Sequence, residues 1–271
     1  MQRMRDYTVL DLEMTGLAEK NNKIIEIGAV KVRDGKKIDT YGTLVNPHVK
    51  IEPMVTELTG ITDEMLLQGE EEDVAVERLL RFIGSDRLVG HNVSFDYRFI
   101  KQWAVNKKIP MEMSACDTLK MARALLPEEQ RKKLESLCEY FHIERVHAHR
   151  ALDDAIETWQ VYEKLADMAE ERGMTELFEV QPLKFHLKRQ TPATLQQVAK
   201  LKEYVKRFPI QEEIPWKTLT RSQASRLYDR FRTKYGKIEM PKVDTSAEKR
   251  KKAKLGKRKK AQPSRASKRT V

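Results

Sequence analysis

Residues 7–17 read YTVLDLEMTGL, and Tyr7, Val9, Asp11 and Glu13 alternate there with Thr8, Leu10 and Leu12. That two-residue period is the mark of a β-strand, and it points both carboxylates to one side, roughly 7 Å apart. Two anions on a sheet face are costly to desolvate unless a cation or hydrogen-bond donors compensate them. An isolated pair of this kind is most simply a strand end whose acids reach water. What surrounds the strand decides whether that simple reading stands.

Two more strand patterns follow, KIIEIGAVKVR (23–33) and KIDTYGTLVN (37–46), with Asp34-Gly35 between them as a strong hairpin signal. The first three strands are therefore expected as an antiparallel meander. Beyond them come a helix at about 73–83, a short strand RLVGHN (87–92), helices near 94–106, 117–126 and 132–141, and a long helix over 150–172 that stops before Gly173. Asp117 and Thr118 read as the N-terminal cap of their helix. Strands first and interleaved helices afterwards define an α/β fold, a mixed sheet with helices on its faces.

Charge divides the 271-residue chain as well. Lys and Arg number 25 against 32 Asp and Glu over residues 1–174, 14 against 7 over 175–241, and 13 against 2 over 242–271, so the net +11 of the whole equals the charge of the last segment. Read as domains, these are an acidic folded unit, a basic helical extension and a Lys/Arg-rich tail expected to be disordered. TPATLQQVAKLKEYVKRF (191–208) and RSQASRLYDRFRTKYG (221–236) supply two basic amphipathic helices of the extension. Such an arrangement suits a protein that meets a polyanion, with DNA, RNA, ribosome and anionic lipid all fitting the charge.

Cys116 and Cys138 lack metal-ligand spacing and are expected as buried free thiols in a reducing cytosol, with no structural zinc site. No apolar run approaches the ~18 residues that cross a bilayer, and the amino-terminal residues carry no signal-peptide core. A cytoplasmic protein without a membrane partner is the expectation.

Two further acidic stretches change the meaning of the first. In HNVSFD (91–96), Asp96 falls in the first turn of a helix behind a short strand, within reach of the sheet end, although an acid there also simply meets the helix dipole. HAHRALDD (147–154) opens the long helix, whose period sets Asp153, Glu157, Gln160, Lys164, Asp167 and Glu171 on a polar stripe. Asp154 lines up instead with Thr158, Val161, Leu165 and Met168, beside the packed face. Asp153 is thus expected in water and Asp154 against the fold.

DLEMTGL (11–17), HNVSFD (91–96) and HRALDD (149–154), in that order, resemble the three motifs of the DEDDh 3′–5′ exonucleases, also called DnaQ-like. The resemblance covers residues 6–172. It extends to ELTGITDEML (57–66) and ACDTLKMARAL (115–125), which look like the linking segments of polymerase-associated proofreading exonucleases. It implies a ribonuclease H-like sheet, metal ligands at Asp11, Glu13, Asp96 and Asp154, and a general base at His149, with the motif's His-to-Asp spacing selecting Asp154. His147 is the competing base, and His91 reads as a loop histidine.

The implied residue types match the chemistry. Phosphodiester hydrolysis needs an activated water, a stabilised pentavalent phosphorus and a neutralised leaving alkoxide, and two divalent ions about 3.5–4 Å apart supply all three. Carboxylates suit Mg²⁺ or Mn²⁺, and a histidine titrating near neutrality suits removal of the water's proton. By the same analogy Thr15, Gly16, Leu17, Asn92 and Phe95 would meet the terminal nucleotide.

The resemblance implies release of nucleoside 5′-monophosphates from the 3′ ends of DNA, in proofreading or repair. Met14 departs from the Thr usual in proofreading exonucleases, and DLEMTGL also resembles oligoribonucleases, so short RNA stays open as substrate. A non-catalytic nucleic-acid-binding module is the reading from another class, and the five intact residues argue against it. A phosphatase of small nucleotides would leave the cationic extension redundant. That extension is expected to contact nucleic-acid phosphates, with docking of a DNA polymerase or another replication or repair protein as the alternative.

Overall fold

The computed structural model describes residues 1–238, and the tail expected at 242–271 lies outside the described residues. β1 (Tyr7–Met14), β2 (Ile24–Arg33) and β3 (Lys36–Asn46) form the antiparallel meander that their alternation predicts. Asp34 and Gly35 both take positive φ, as a type I′ hairpin turn requires. The chain continues through α1 (Pro53–Thr59), α2 (Asp63–Leu67), β4 (Glu70–Glu71), α3 (Glu72–Ile83), β5 (Leu88–Gly90), α4 (Ser94–Lys107), β6 (Ser114–Asp117), α5 (Thr118–Leu125), α6 (Leu134–Tyr140) and α7 (Ala151–Glu171). A 3-10 turn at Thr175–Phe178 leads into β7 (Gln181–Pro182).

These strands lie in one sheet in the order β4-β3-β2-β1-β5-β6-β7, with β5 parallel to β1 and β6 parallel to β5. The result is the expected mixed, ribonuclease H-like sheet. Helices cover both of its faces. Tyr7, Val9, Val30 and Val32 pack on one side with Leu137, Tyr162 and Leu165, while Leu10, Leu12, Ile27 and Ala29 pack on the other with Val76, Leu79, Tyr97 and Ile100. Burying each such large apolar side chain contributes roughly 1.5–3 kcal/mol. A strand covered on both faces carries apolar residues at nearly every position, so Asp11 and Glu13 stand out as an interruption at its carboxyl end.

The start of α7 is seated on the sheet by a glycine. Gly28 pairs with Asp11 in the β1–β2 ladder, and a Cβ there would fall 2.1 Å from the Ala151 backbone. Absence of a side chain permits that approach, which brings the first turn of α7 against the strands that carry the acids. Further along the same helix one expectation fails: Glu157, assigned by period to the solvated stripe, is buried, because Arg145 from the preceding loop reaches it with an Nε to Oε2 distance of 2.8 Å. Cys116 and Cys138 are both buried and free, and no helix among the described residues is long and apolar enough to cross a membrane.

The first unit runs from Met1 to Arg189, and a second begins at Gln190. In the second, α8 (Leu195–Arg207) and α9 (Arg221–Tyr235) each open with a capping box, Thr194 with Gln197 and Thr220 with Gln223. Leu201, Tyr204, Ile214, Leu219, Ala224, Leu227 and Phe231 close a core of their own.

Candidate active site

The five motif residues come from three places in the first unit. β1 delivers Asp11 and Glu13 at its carboxyl end, Asp96 stands in the first turn of α4, and Asp154 stands in the first turn of α7. His149 lies two residues before α7, with its backbone in the left-handed region at φ 60°. Donor atoms of Glu13, His149 and Asp154 all lie within 4.8 Å of one another. Asp96 and Asp154 are buried, at 5% and 6% exposure.

Electrostatics tie the other acids to this group. Burial holds the Asp11 carboxyl well above the ordinary carboxylate range, and the neighbouring Asp96, Asp154, Glu13 and Glu26 raise it further. Glu13 is pushed up to about 8 by burial and then by Asp154, Glu26 and Asp96, with Arg150 opposing. Asp96 is likewise pushed up to about 8 by burial, against the backbone N–H groups of Asp96 and Leu12. Burial also raises Asp154, while Arg145 and His149 pull it down. The cluster is short of positive charge, which is the condition a divalent cation relieves. Its donors, carboxylate oxygens with one imidazole, fit hard ions of the Mg²⁺ or Mn²⁺ kind.

The helical period sorted the two aspartates of HRALDD in the way the side chains lie. Asp153 is partly exposed and pairs with His147, whose Nδ1 is 3.1 Å from Oδ2, so the competing base is engaged away from the acidic group. His91 also has a structural position. Its Nδ1 is 2.9 Å from Thr118 Oγ1 and its Nε2 is 2.8 Å from the Lys132 carbonyl, bracing two loops.

Residues expected to meet a nucleotide sit at the rim with differing freedom. Leu17 is 81% exposed, an apolar side chain held in water just past β1. The Thr15 hydroxyl accepts from the Lys23 N–H at 3.0 Å, and Gly16 lies against Asn22. The Asn92 N–H donates to Asp117 Oδ1 at 3.0 Å. Phe95 packs edge-on against Phe99, with ring centres 5.7 Å apart, and belongs partly to the core.

Glu26, Arg145 and Arg150 hold the site without any role expected of them from the sequence, and Glu157 joins them in place of its expected position in water. Glu26 on β2 accepts from Arg150 Nη2 at 2.7 Å and from the Ala151 N–H at 2.9 Å, fixing the segment between His149 and Asp154. Arg145 donates to Asp154 Oδ1 at 2.9 Å as well as to Glu157. A signal for Glu26 existed: it is a lone acid in the apolar run IIEIGAV. The arginines carry no comparable local mark.

An exonuclease family model, RNase_T, matches residues 8–162, a stretch that contains all three motifs. A DNA polymerase III PolC-type of Caldanaerobacter subterraneus is 36% identical over 175 residues, 65% of this chain and 12% of that protein. Another, of Thermotoga petrophila, is 39% identical over 181 residues, 66% and 13% of the two chains. The chain therefore spans about an eighth of the length of these curated relatives. Among solved structures, the nuclease domain of 3′hExo, described as a DEDDh family member bound to rAMP, gives a TM-score of 0.51 at 18% identity over 60% of this chain and 92% of that one. E. coli exonuclease I in complex with a dT13 oligonucleotide gives 0.53 at 18% identity over 63% and 43%. The two structural likenesses agree with the sheet and helices described above.

Proposed function

The chain belongs to the RNase_T exonuclease family, and on that premise we propose that it is a divalent-metal-dependent 3′–5′ exonuclease releasing nucleoside 5′-monophosphates from DNA. The observation that carries this reading is the convergence of Glu13, His149 and Asp154 within 4.8 Å, with buried Asp96 and partly exposed Asp11 close enough for the charges of Asp96, Asp154 and Glu13 to raise the Asp11 carboxyl. Asp11, Glu13, Asp96 and Asp154 would hold two ions, Mg²⁺ or Mn²⁺. When bound, the ions supply polarisation of the phosphate and neutralisation of the leaving oxygen.

The chain's own residues do the remaining work. The His149 imidazole takes the proton of the attacking water, and its partly exposed position lets that proton pass on to solvent. Thr15, Gly16, Leu17, Asn92 and Phe95 seat the terminal nucleotide, with Leu17 as an apolar wedge of the kind that serves sequence-tolerant single-strand binding. The DNA assignment is supported by identity of 36–39% to DNA polymerases of the PolC type.

Residues 1–174 are assigned the reaction, and 175–241 with 242–271 the contacts to nucleic-acid phosphates or to a polymerase or other replication or repair protein. A cytoplasmic site of action follows from that role. The test is digestion with Mg²⁺ of 5′-labelled single-stranded DNA, of duplex DNA with a frayed 3′ end, and of RNA of two to five nucleotides. A descending ladder on DNA is expected. Activity confined to short RNA would transfer the assignment to an oligoribonuclease, the reading that Met14 favours.

A further inference from the structure

We propose that a cationic cleft lined by Asn92, Leu119, Arg123, Lys132, Lys133 and Leu134 is a second subsite on the first unit, one that binds phosphates of the single strand upstream of the scissile bond. The inference rests on the exonuclease reading above. The cleft measures about 490 Å³, within the range of roughly 300–1,000 Å³ usual for small-ligand sites.

Its position follows from the sheet. β1, β5 and β6 run parallel as neighbours, and Asn92 and Leu119 come just past the carboxyl ends of β5 and β6, as Glu13 comes at the end of β1. Neighbouring strands are about 4.8 Å apart, so the strand ends that precede Asn92 and Leu119 stand one and two strand spacings across the sheet from the end of β1. Asn92 also begins the segment that ends in Asp96, joining the cleft to the acidic site through four residues of chain.

The charge of the cleft is opposite to that of the acidic site. Arg123 and Lys133 are exposed and form no ion pair among the described residues. Lys132 is turned to the carbonyls of Pro127 and Glu128, which leave its charge uncompensated. Asp117, at the carboxyl end of β6, is engaged by the N–H groups of Asn92 and Leu119. A strand entering a centre of four carboxylates, on a segment that carries 25 basic against 32 acidic residues, needs local cations for its backbone, and here they stand together. Leu119 and Leu134 offer apolar walls to sugar and base. The partly buried brace at His91, between Thr118 and Lys132, holds the two sides of the cleft in register.

The test compares wild type with an Arg123→Gln/Lys133→Gln double variant of the full chain. The substrates are a 5′-labelled oligothymidylate of about twelve nucleotides and the thymidine dinucleotide, and equilibrium binding of the longer strand is followed in EDTA. Loss of two phosphate contacts should weaken binding roughly tenfold and lower the slope of log K against log salt by about 1.4. KM for the longer strand should rise by a similar factor at unchanged kcat, with dinucleotide hydrolysis unaltered. Equal effects on both lengths, or unchanged binding and salt slope, would overturn the subsite. If wild type hydrolysed neither substrate, the exonuclease reading would fail while the binding measurement still decided the cleft.

Discussion

Glu26 and Arg150, 124 residues apart in the chain, form a two-pronged ion pair: Arg150 Nη2 and Nε donate to Glu26 Oε1 at 2.7 and 3.1 Å. Glu26 also pairs with Glu13 in the β1–β2 ladder and accepts the Ala151 N–H. One buried carboxylate thereby fixes the residue after His149 and the first turn of the helix that carries Asp154. Glu26→Gln keeps the shape and removes the charge. It should cost about 1–3 kcal/mol of stability, since hydrogen bonds to charged groups are worth that much and Arg150 remains partly hydrated. Turnover should fall about 10–100-fold, the usual effect of removing support from a ligand-bearing segment. A steady-state assay with a melting curve would separate the two, and a variant that melts early but turns over normally would show that Glu26 only stabilises.

Asp153 and Asp154 offer a controlled comparison. Asp154→Asn should reduce kcat at least about 100-fold, and it should remove the melting-temperature increase that Mg²⁺ or Mn²⁺ gives the wild type. Asp153→Asn removes a partly exposed partner of His147 and should alter stability by no more than about 0.5 kcal/mol.

The acids make a pH prediction for metal-free protein. Glu13 and Asp96 are raised from ordinary values of 4.5 and 3.8 to about 8. Between those limits the folded chain binds protons that the unfolded chain has released, so stability from this site falls as pH rises and levels off above about pH 8. Asp96→Asn should therefore raise the melting temperature in EDTA at pH 8 and change it little near pH 4. In wild type, binding of Mg²⁺ should release protons and tighten with rising pH over the same window. Calorimetry in buffers of different ionisation enthalpy measures that release directly.

Gly28→Ala tests the seating of α7. The new Cβ would stand 2.1 Å from the Ala151 carbonyl and 2.3 Å from the Leu152 nitrogen, both backbone atoms that yield only if the helix shifts. Overpacking of this kind costs about 1–3 kcal/mol or more. Activity should fall more than stability alone explains, as seen by assay well below the melting temperature.

Removal of residues 242–271 takes away 13 basic and 2 acidic residues. KM on long DNA should rise more than kcat falls, and the dependence of KM on salt should become shallower, because fewer counterions are released on binding. Unchanged constants at physiological salt would assign that segment to a protein partner.

The features legible in the chain alone were those encoded over short distances. Alternation in YTVLDLE and IIEIGAV, the Asp34-Gly35 turn and the period of the helix around Asp154 are local, so they marked the meander, α7 and the acid facing inward. The ordered motifs likewise pointed to an exonuclease. Helices α1 and α2, of 7 and 5 residues, and the two-residue strands β4 and β7 are too short to display a period, and they form only because the sheet and its neighbours hold them. Glu157 left its expected place in water because Arg145 from another segment satisfies it, and Glu26 acquired its position from a residue 124 places away. Those pairings depend on which surfaces meet after the chain has folded. The sequence by itself determined the carboxylates, the imidazole and the elements that bear them; tertiary structure alone decided that Gly28 admits the helix, that Glu26 anchors it, and that Arg123 and Lys133, without an ion-pair partner among the described residues, line one cleft.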